Sequence, residues 1–138
     1  MNPEIKMLQK IRKVLISDST IKGYVADRVY TAHVSSVDRP VYPAISLHLI
    51  PGQASISAPD MVEMMIQVDL WFPTKDFDVD QVLTCYQKVR DLLHRQDLTD
   101  KSMNLIVGRI TEITPGPMMY DEDAKCHHRP GRFSVVAI

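Results

Sequence analysis

The stretch M-V-E-M-M-I-Q-V-D-L-W-F, residues 61–72, carries the clearest alternation of apolar and polar side chains in this sequence. Every second residue from position 62 to position 72 is apolar, and successive side chains of a strand point to opposite faces of a sheet. The positions between them are mostly polar or charged, with Met65 and Trp71 as exceptions, and Pro73 follows directly. The stretch therefore predicts a long strand that turns one face to the core and ends at the proline.

A second alternating segment, residues 44–50, precedes this strand. The intervening residues 51–60 are small and polar with one large apolar side chain, Ile56. A linker of this length and composition does not form a tight hairpin turn, so we interpret it as a projecting hairpin tip that contacts a partner. The predicted partner-contact residues are Gln53, Ala54, Ser55, Ile56, Ser57, Ala58 and Pro59.

Two helices flank these strands. The first starts near Asn2 and Pro3, residue types that suit a helix N-terminus, and helical turns resume over residues 20–26. The second begins at Asp76 or Asp78 and runs to about residue 93. Their predicted core faces consist of Ile5, Leu8, Ile11 and Leu15 in the first helix and Val79, Val82, Leu83, Tyr86, Val89, Leu92 and Leu93 in the second.

The remaining elements are strands. Residues 29–33, 105–114 and 132–138 are prone to form strands, residues 118–120 suit an edge strand, and residues 121–131 suit a charged turn. The resulting order is α-β-β-β-α-β-β in one domain spanning residues 1–138. It predicts an α+β fold in which two main helices pack on one face of a mostly antiparallel sheet.

Composition narrows the function classes. The 138 residues are 45% hydrophobic and 24% charged, with a net charge of −1. No apolar run approaches the ~18 residues that span a bilayer, and the charge argues against a dedicated nucleic-acid binder. Residues 1–30 hold six basic and three acidic residues, whereas residues 51–84 hold one basic and six acidic residues. These regions are either two solvated faces or surfaces that meet across a subunit boundary.

No catalytic motif stands out, and we expect neither an enzyme nor a bound metal or cofactor. The strongest metal candidate is Cys126-His127-His128. Adjacent residues of an extended chain point apart, so a polar loop is the favoured alternative. Cys85 lies on the apolar face of the second helix, which indicates an inert buried thiol rather than a nucleophile. With Cys126 it makes two thiols, for which the free form is expected.

What remains is surface suited to other proteins. Methionine and aromatic residues are enriched at interface centres, and a basic stripe runs along the first helix. A second small core is the alternative explanation for the apolar residues among them. The candidate contacts between subunits are Lys6, Lys10, Lys13, Met65, Asp69, Trp71, Met118, Met119 and Tyr120.

Four segments in this order resemble a known family. They are D-S-T-I-K-G-Y-V-A-D-R-V-Y (residues 18–30), Y-P-A-I-S-L-H-L (42–49), I-Q-V-D-L-W-F (66–72) and H-H-R-P-G-R-F-S-V-V-A-I (127–138). The sequence is similar over nearly its whole length to the tail-completion or tail-terminator proteins of long-tailed bacteriophages. It departs from them at Ala26 and Asp27, where the family often has glycines.

The resemblance implies a structural virion protein of the tail or neck, assembled in the host cytoplasm. Such a protein forms a ring, expected to be a hexamer, on the last ring of the tail tube and presents a surface to the head connector. Its partners would be further copies of itself, the tail tube protein and a head-completion or connector protein, with DNA passing through the lumen without specific binding. The alternatives are another phage neck, head-completion or minor tail protein of similar fold, or a small enzyme that uses Cys and His.

Overall fold

In the part of the chain that the structure describes, the protein forms a six-stranded sheet with three α-helices. The structure is a computed structural model that describes residues 3–31, 40–54 and 61–137. A short 3-10 helix, Lys101–Met103, follows the last α-helix. The elements in chain order are α1 (Pro3–Ser17), α2 (Ser19–Val25), β1 (Val29–Tyr30), β2 (Ala44–Ala54), β3 (Val62–Pro73), α3 (Val79–Leu93), β4 (Val107–Pro115), β5 (Met119–Asp121) and β6 (Cys126–Ala137).

The strand order is β1-β2-β3-β6-β4, and β5 pairs with β6 on the same side as β4. Only the β1–β2 pair is parallel; the pairs that join β2 to β3, and β6 to β3, β4 and β5, are antiparallel. The prediction of an α+β fold with a mostly antiparallel sheet is therefore confirmed. The long strand read from residues 61–72 is β3, which lies between β2 and β6 at the centre of the sheet.

The core lies between the helices and one face of the sheet. In β3 the buried core residues Met64, Ile66, Val68, Leu70 and Phe72 are the alternate apolar positions that the sequence predicts. None of the helices in the described ranges combines the length and the apolar character that a membrane crossing needs. The buried residues that the helices contribute to this core are Met7, Ile11, Leu15, Ile21, Val25, Val82, Cys85, Tyr86, Val89 and Leu93.

Three predicted core positions on the helices are wrong in detail. Ile5 is 46% exposed, whereas Met7 is fully buried. The two side chains lie about 160° apart around the helix axis, so only one of them can face the sheet. On α3, Val79 and Leu83 are 41% and 39% exposed. The core side of α3 thus lies further round the helix than its apolar pattern suggested.

The start of α3 is fixed by a capping box. Asp78 Oδ1 accepts a hydrogen bond from Gln81 N at 2.9 Å, and Gln81 Oε1 accepts one from Asp78 N at 3.0 Å. Two orphan amides at the helix N-terminus are satisfied in this way. Of the two caps that the sequence allowed, Asp78 is the one in use.

The last strand starts earlier than predicted, at Cys126 instead of Arg132, although it contains Pro130. Pro130 O accepts a hydrogen bond from Gly116 N at 2.8 Å. The N and the C=O of one residue in an antiparallel strand point to the same side. The proline nitrogen therefore faces the break between β4 and β5, where the ladder needs no donor.

The predicted hairpin tip is shorter than the sequence suggested. Gln53 and Ala54 belong to β2 and pair with Glu63 and Val62 of β3, after an irregularity in register between Ile50 and Gln53. The other predicted contact residues of this loop lie outside the described residues; they are Ser55, Ile56, Ser57, Ala58 and Pro59.

Candidate interaction surfaces

The lysine stripe of α1 faces a loop of its own chain. Lys10 Nζ lies 3.0 Å from Asp100 Oδ2, and Lys13 Nζ lies 3.7 Å from the same oxygen. Lys6 Nζ donates to Asn104 O at 3.0 Å. The Lys13 side chain stays 63% exposed. Much of the positive charge that the sequence offered to a neighbouring subunit is thus used inside the chain.

Asp100 is the acceptor at the centre of this contact. Its Oδ1 accepts hydrogen bonds from Ser102 Oγ at 2.5 Å and Ser102 N at 3.0 Å. These bonds, with the hydrogen bond and charge of Lys10 and the charge of Lys13, hold the pKa of the Asp100 carboxyl well below its usual range. The loop after α3 is thereby tied to the first helix.

On the face of the sheet opposite the helices, Asp69 of β3 is 1% exposed. Its Oδ1 lies 2.8 Å from His128 Nε2 and accepts a hydrogen bond from Gln67 Nε2 at 2.9 Å. Its Oδ2 lies 3.4 Å from His48 Nδ1. This buried carboxylate joins β2, β3 and β6, and its oxygens are occupied by its own chain.

Trp71 lies beside this carboxylate and is 9% exposed. Its ring stacks on His128 with the centroids 3.9 Å apart and the planes at 8°. Its Nε1 donates to Ser46 Oγ at 3.0 Å. Trp71 forms a second small cluster with Cys126, against which Tyr30, Tyr42 and Ala124 pack. Trp71 thus belongs to a second small core, the alternative raised from the sequence for the apolar residues, and both Trp71 and Asp69 are buried within their own chain.

The end of the sheet near β5 exposes apolar side chains. Met119 is 41% exposed, Tyr120 is 56% exposed and Ile113 of β4 is 51% exposed. Met118 packs partly against the main core, and Met65 is half-buried on the face of β3 opposite the helices. Met119 and Tyr120 are therefore the predicted contacts with the most accessible apolar surface.

The outer edge of β4 is closed by the chain itself. Arg95 N donates to Ile110 O at 2.8 Å, and Glu112 N donates to His94 Nδ1 at 3.0 Å. Exposed backbone groups on an edge strand are templates for another chain. Around these positions, residues 94–99 occupy the place that a neighbour's strand would take.

Next to this edge lies a polar groove of about 650 Å³ that Arg95, Asp97, Arg109 and Thr111 help to line. Both arginine side chains are exposed, and among the described residues neither pairs with a carboxylate. Sequence reasoning missed this pair, because the two residues are 14 positions apart and meet only when the segment after α3 folds along β4. No local signal marked the pair, because β4 also holds Thr111, Glu112 and Thr114.

The side chains of Cys126, His127 and His128 in β6 do not converge on one site. Cys126 Sγ lies 3.4 Å from Ala124 O, and His127 Nε2 lies 3.1 Å from Phe77 O. His128 lies against Asp69 on the face opposite His127, which is also the face on which Cys126 packs with Trp71. Strand alternation separates His127 from the other two side chains. In the described part of the chain no three His, Cys, Asp or Glu residues are placed to hold a metal ion.

Both thiols are free and buried. Burial, assisted by the charge of Asp18, raises the pKa of Cys85 to about 12. Burial, assisted by the charge of Asp121, raises the pKa of Cys126 to about 11. Since the thiolate is the reactive form, these environments suppress nucleophilic chemistry at neutral pH.

Comparison with known proteins identifies the fold. No family model matches the sequence, and no curated protein matches it. Among solved structures, the protein is similar to a chain of the virion of the native gene transfer agent (GTA) particle, with a TM-score of 0.71 and 14% sequence identity. The match covers 95% of this chain and 93% of that chain. The two proteins share one fold over nearly their whole lengths.

Proposed function

We propose that this protein is a structural virion protein of a phage-type particle, and that it caps the tail tube and joins it to the head connector as a ring. The observation that carries the proposal is the shared fold with a chain of a GTA virion, which leaves little of either chain unmatched. The resemblance of the sequence to tail-terminator proteins supplies the finer role. In that role the ring has six copies and lies in the tail or neck after assembly in the host cytoplasm.

A structural role without catalysis is supported by how the chemically active side chains are used. The buried thiols have raised pKa values, and the buried carboxylate Asp69 with its two histidines joins three strands. Asp69 and the two histidines stabilise the sheet through contacts within their own chain, and the thiols are buried.

The proposed partners are further copies of this protein, the tail tube protein and a head-completion or connector protein. Met119 and Tyr120 offer exposed apolar surface for one of these contacts, and Met65, Met118 and Lys13 remain candidates. DNA passes through the lumen without specific binding, in keeping with the net charge of −1.

Deletion of the gene tests the proposal. In cells that carry the remaining genes of the particle, we expect tails of uncontrolled length that are not joined to heads, and a plasmid copy of the gene should restore joined particles. Tails of normal length beside unjoined heads would indicate a head-completion or neck protein. Normal joined particles without the gene would contradict the proposal.

The purified protein gives a second test. At high concentration, negative-stain microscopy and light scattering should show rings or their oligomeric precursors. A strict monomer that never associates with tail tubes from the deletion strain would contradict the capping role.

The hairpin tip tests the docking role within a folded protein. Because Gln53 and Ala54 pair with β3, the deletion is limited to residues 55–59, with two glycines in their place. We expect an unchanged urea midpoint and weaker attachment to tail tubes in a sedimentation assay. Unfolding of this variant would show that the loop is part of the core.

A further inference from the structure

Charged side chains of opposite sign lie at the two ends of α3, and within the described ranges none of them forms an ion pair. Beyond its C-terminal end lie Arg95 and Arg109, which we call the arginine surface. Around its N-terminal end lie the exposed carboxylates Asp76 and Asp80, which we call the acidic surface. Asp78 is left out of this surface because its carboxylate caps the helix.

The two surfaces do not reach each other within one molecule. The helix between them has 15 residues, which corresponds to about 22 Å at a rise of about 1.5 Å per residue. Asp97 reduces the charge excess of the arginine surface, but its Oδ1 already accepts a hydrogen bond from Thr99 N. Lys75 and Lys125 line a groove together with Asp76, and the three carboxylates of Asp76, Asp78 and Asp80 outnumber these two lysines. Each surface therefore keeps an excess of its own sign.

The lysines of α1 do not fill the role of the basic surface. Lys10 has Asp100 as its partner and Lys6 has a backbone carbonyl, so they have less to offer a neighbouring molecule. The arginine surface lies beside a groove with both of its arginines exposed, and arginine is well suited to pair with carboxylates.

We propose that in the ring the arginine surface of one copy binds the acidic surface of the next copy. This inference rests on the ring of the proposed function and names the contact that builds it. A closed ring needs two different patches on each molecule, and two complementary patches at opposite ends of one helix meet that need. Opposite charges then set the register of the contact and disfavour pairing of like surfaces.

Charge reversal tests the contact. The variants are Arg109→Glu on the arginine surface, Asp80→Lys on the acidic surface, and Lys22→Glu as a control at an exposed position of α2. Circular dichroism and urea unfolding first establish that each variant is folded. Light scattering and negative-stain microscopy then give the concentration at which half of the protein is assembled.

We expect each reversal alone to raise that concentration at least about tenfold, because like charges would face each other at every boundary. Lys22→Glu should leave it unchanged. Mixing the two reversed variants in equal amounts should restore rings, because copies that alternate present opposite charges at every boundary. Such restoration requires an even number of copies.

Four results would overturn the inference. If the unsubstituted protein forms rings and both reversed variants assemble at the same concentration, this contact is refuted, whereas the ring of the proposed function is not. Failure of the mixture to restore rings would show that the two surfaces do not meet. Normal assembly of Arg109→Glu together with lost binding to a DNA duplex at low salt would reassign the arginine surface to phosphate. If the unsubstituted protein forms no rings at all, the proposed function fails and the inference fails with it.

Discussion

Gly131 is a position in β6 where the packing leaves no room for a side chain. A Cβ built on this residue would lie 2.6 Å from Tyr86 Cε2 and 2.7 Å from Tyr86 Cζ, with the hydroxyl oxygen nearer still. The aromatic ring of Tyr86 has little freedom to move away. Tyr86 OH donates to Glu112 Oε2 at 2.5 Å, Arg90 Nε donates to Glu112 Oε1 at 3.0 Å, and the Arg129 guanidinium lies 4.8 Å from the ring centroid.

The expected cost of Gly131→Ala follows from these contacts. Forcing an extra carbon into a well-packed site costs about 1–3 kcal/mol. Replacing glycine by alanine also restricts the unfolded chain, which contributes about 0.4–1 kcal/mol in the opposite direction where the backbone permits it. We therefore expect a net loss of roughly 1–2 kcal/mol in the free energy of unfolding.

Gly108 provides the matched control in a neighbouring strand. A Cβ there would meet its nearest atom, Val136 O, at 3.6 Å, an ordinary contact. Gly108→Ala should therefore be neutral or slightly stabilising. Urea unfolding followed by far-UV circular dichroism and by the fluorescence of Trp71, the one tryptophan, gives both free energies.

A third variant isolates the clash. In a Tyr86→Leu background the aromatic ring is gone, and adding Gly131→Ala should no longer destabilise the protein. Phenylalanine would not serve, because it keeps the two ring carbons that meet the new Cβ. If Gly131→Ala is as stable as Gly108→Ala to within about 0.5 kcal/mol, the packing account of this position is refuted.

Three further predictions concern a helix cap, a carboxylate and two thiols. Asp78→Ala should lower the free energy of unfolding by about 1 kcal/mol through loss of the α3 capping box, whereas Asp76→Ala, two residues earlier, should change it by less than about 0.5 kcal/mol. Because the pKa of the Asp100 carboxyl is lowered in the folded state, its contribution to stability is complete above its unfolded pKa of about 3.9 and is lost as the pH falls through the folded value. The stability difference between the unsubstituted protein and Asp100→Asn should accordingly shrink below about pH 4, and a constant difference would contradict this. Cys85 and Cys126, with pKa values raised to about 12 and about 11, should resist a thiol reagent at pH 8 until urea unfolds the protein, and rapid labelling of either thiol in the native state would contradict their burial.

Much of the fold was predictable because its signals are local. The alternation in β3 specifies a strand and its buried face without reference to any distant residue, and Asp78 with Gln81 forms a capping box within four positions. Patterns of this kind identified the sheet and α3. They did not decide which side of a helix is most deeply buried, since Ile5 and Met7 are both apolar and only the packing of α1 on the sheet separates them.

The interaction surfaces were less predictable because they depend on distant pairs. The lysines of α1 looked available until Asp100, about 90 positions away, took Lys10 as its partner. Trp71 looked exposed on the second face of β3 until Tyr42 and Ala124 covered it. Pro130 looked like the end of a loop, and only the break between β4 and β5 makes it acceptable in a strand.

The outer edge of β4, which is hydrogen-bonded to residues of its own chain, affects how free copies of the protein behave at high concentration before a particle is assembled. The hydrogen-bonded backbone groups of this edge are not free to pair with a strand of another copy, so the growth of fibres by sheet extension from this edge is disfavoured. Attachment at that flank must use side chains, whose charge and shape a single substitution can reverse. Contacts made through side chains are specific and reversible, so they can control the order in which the copies assemble.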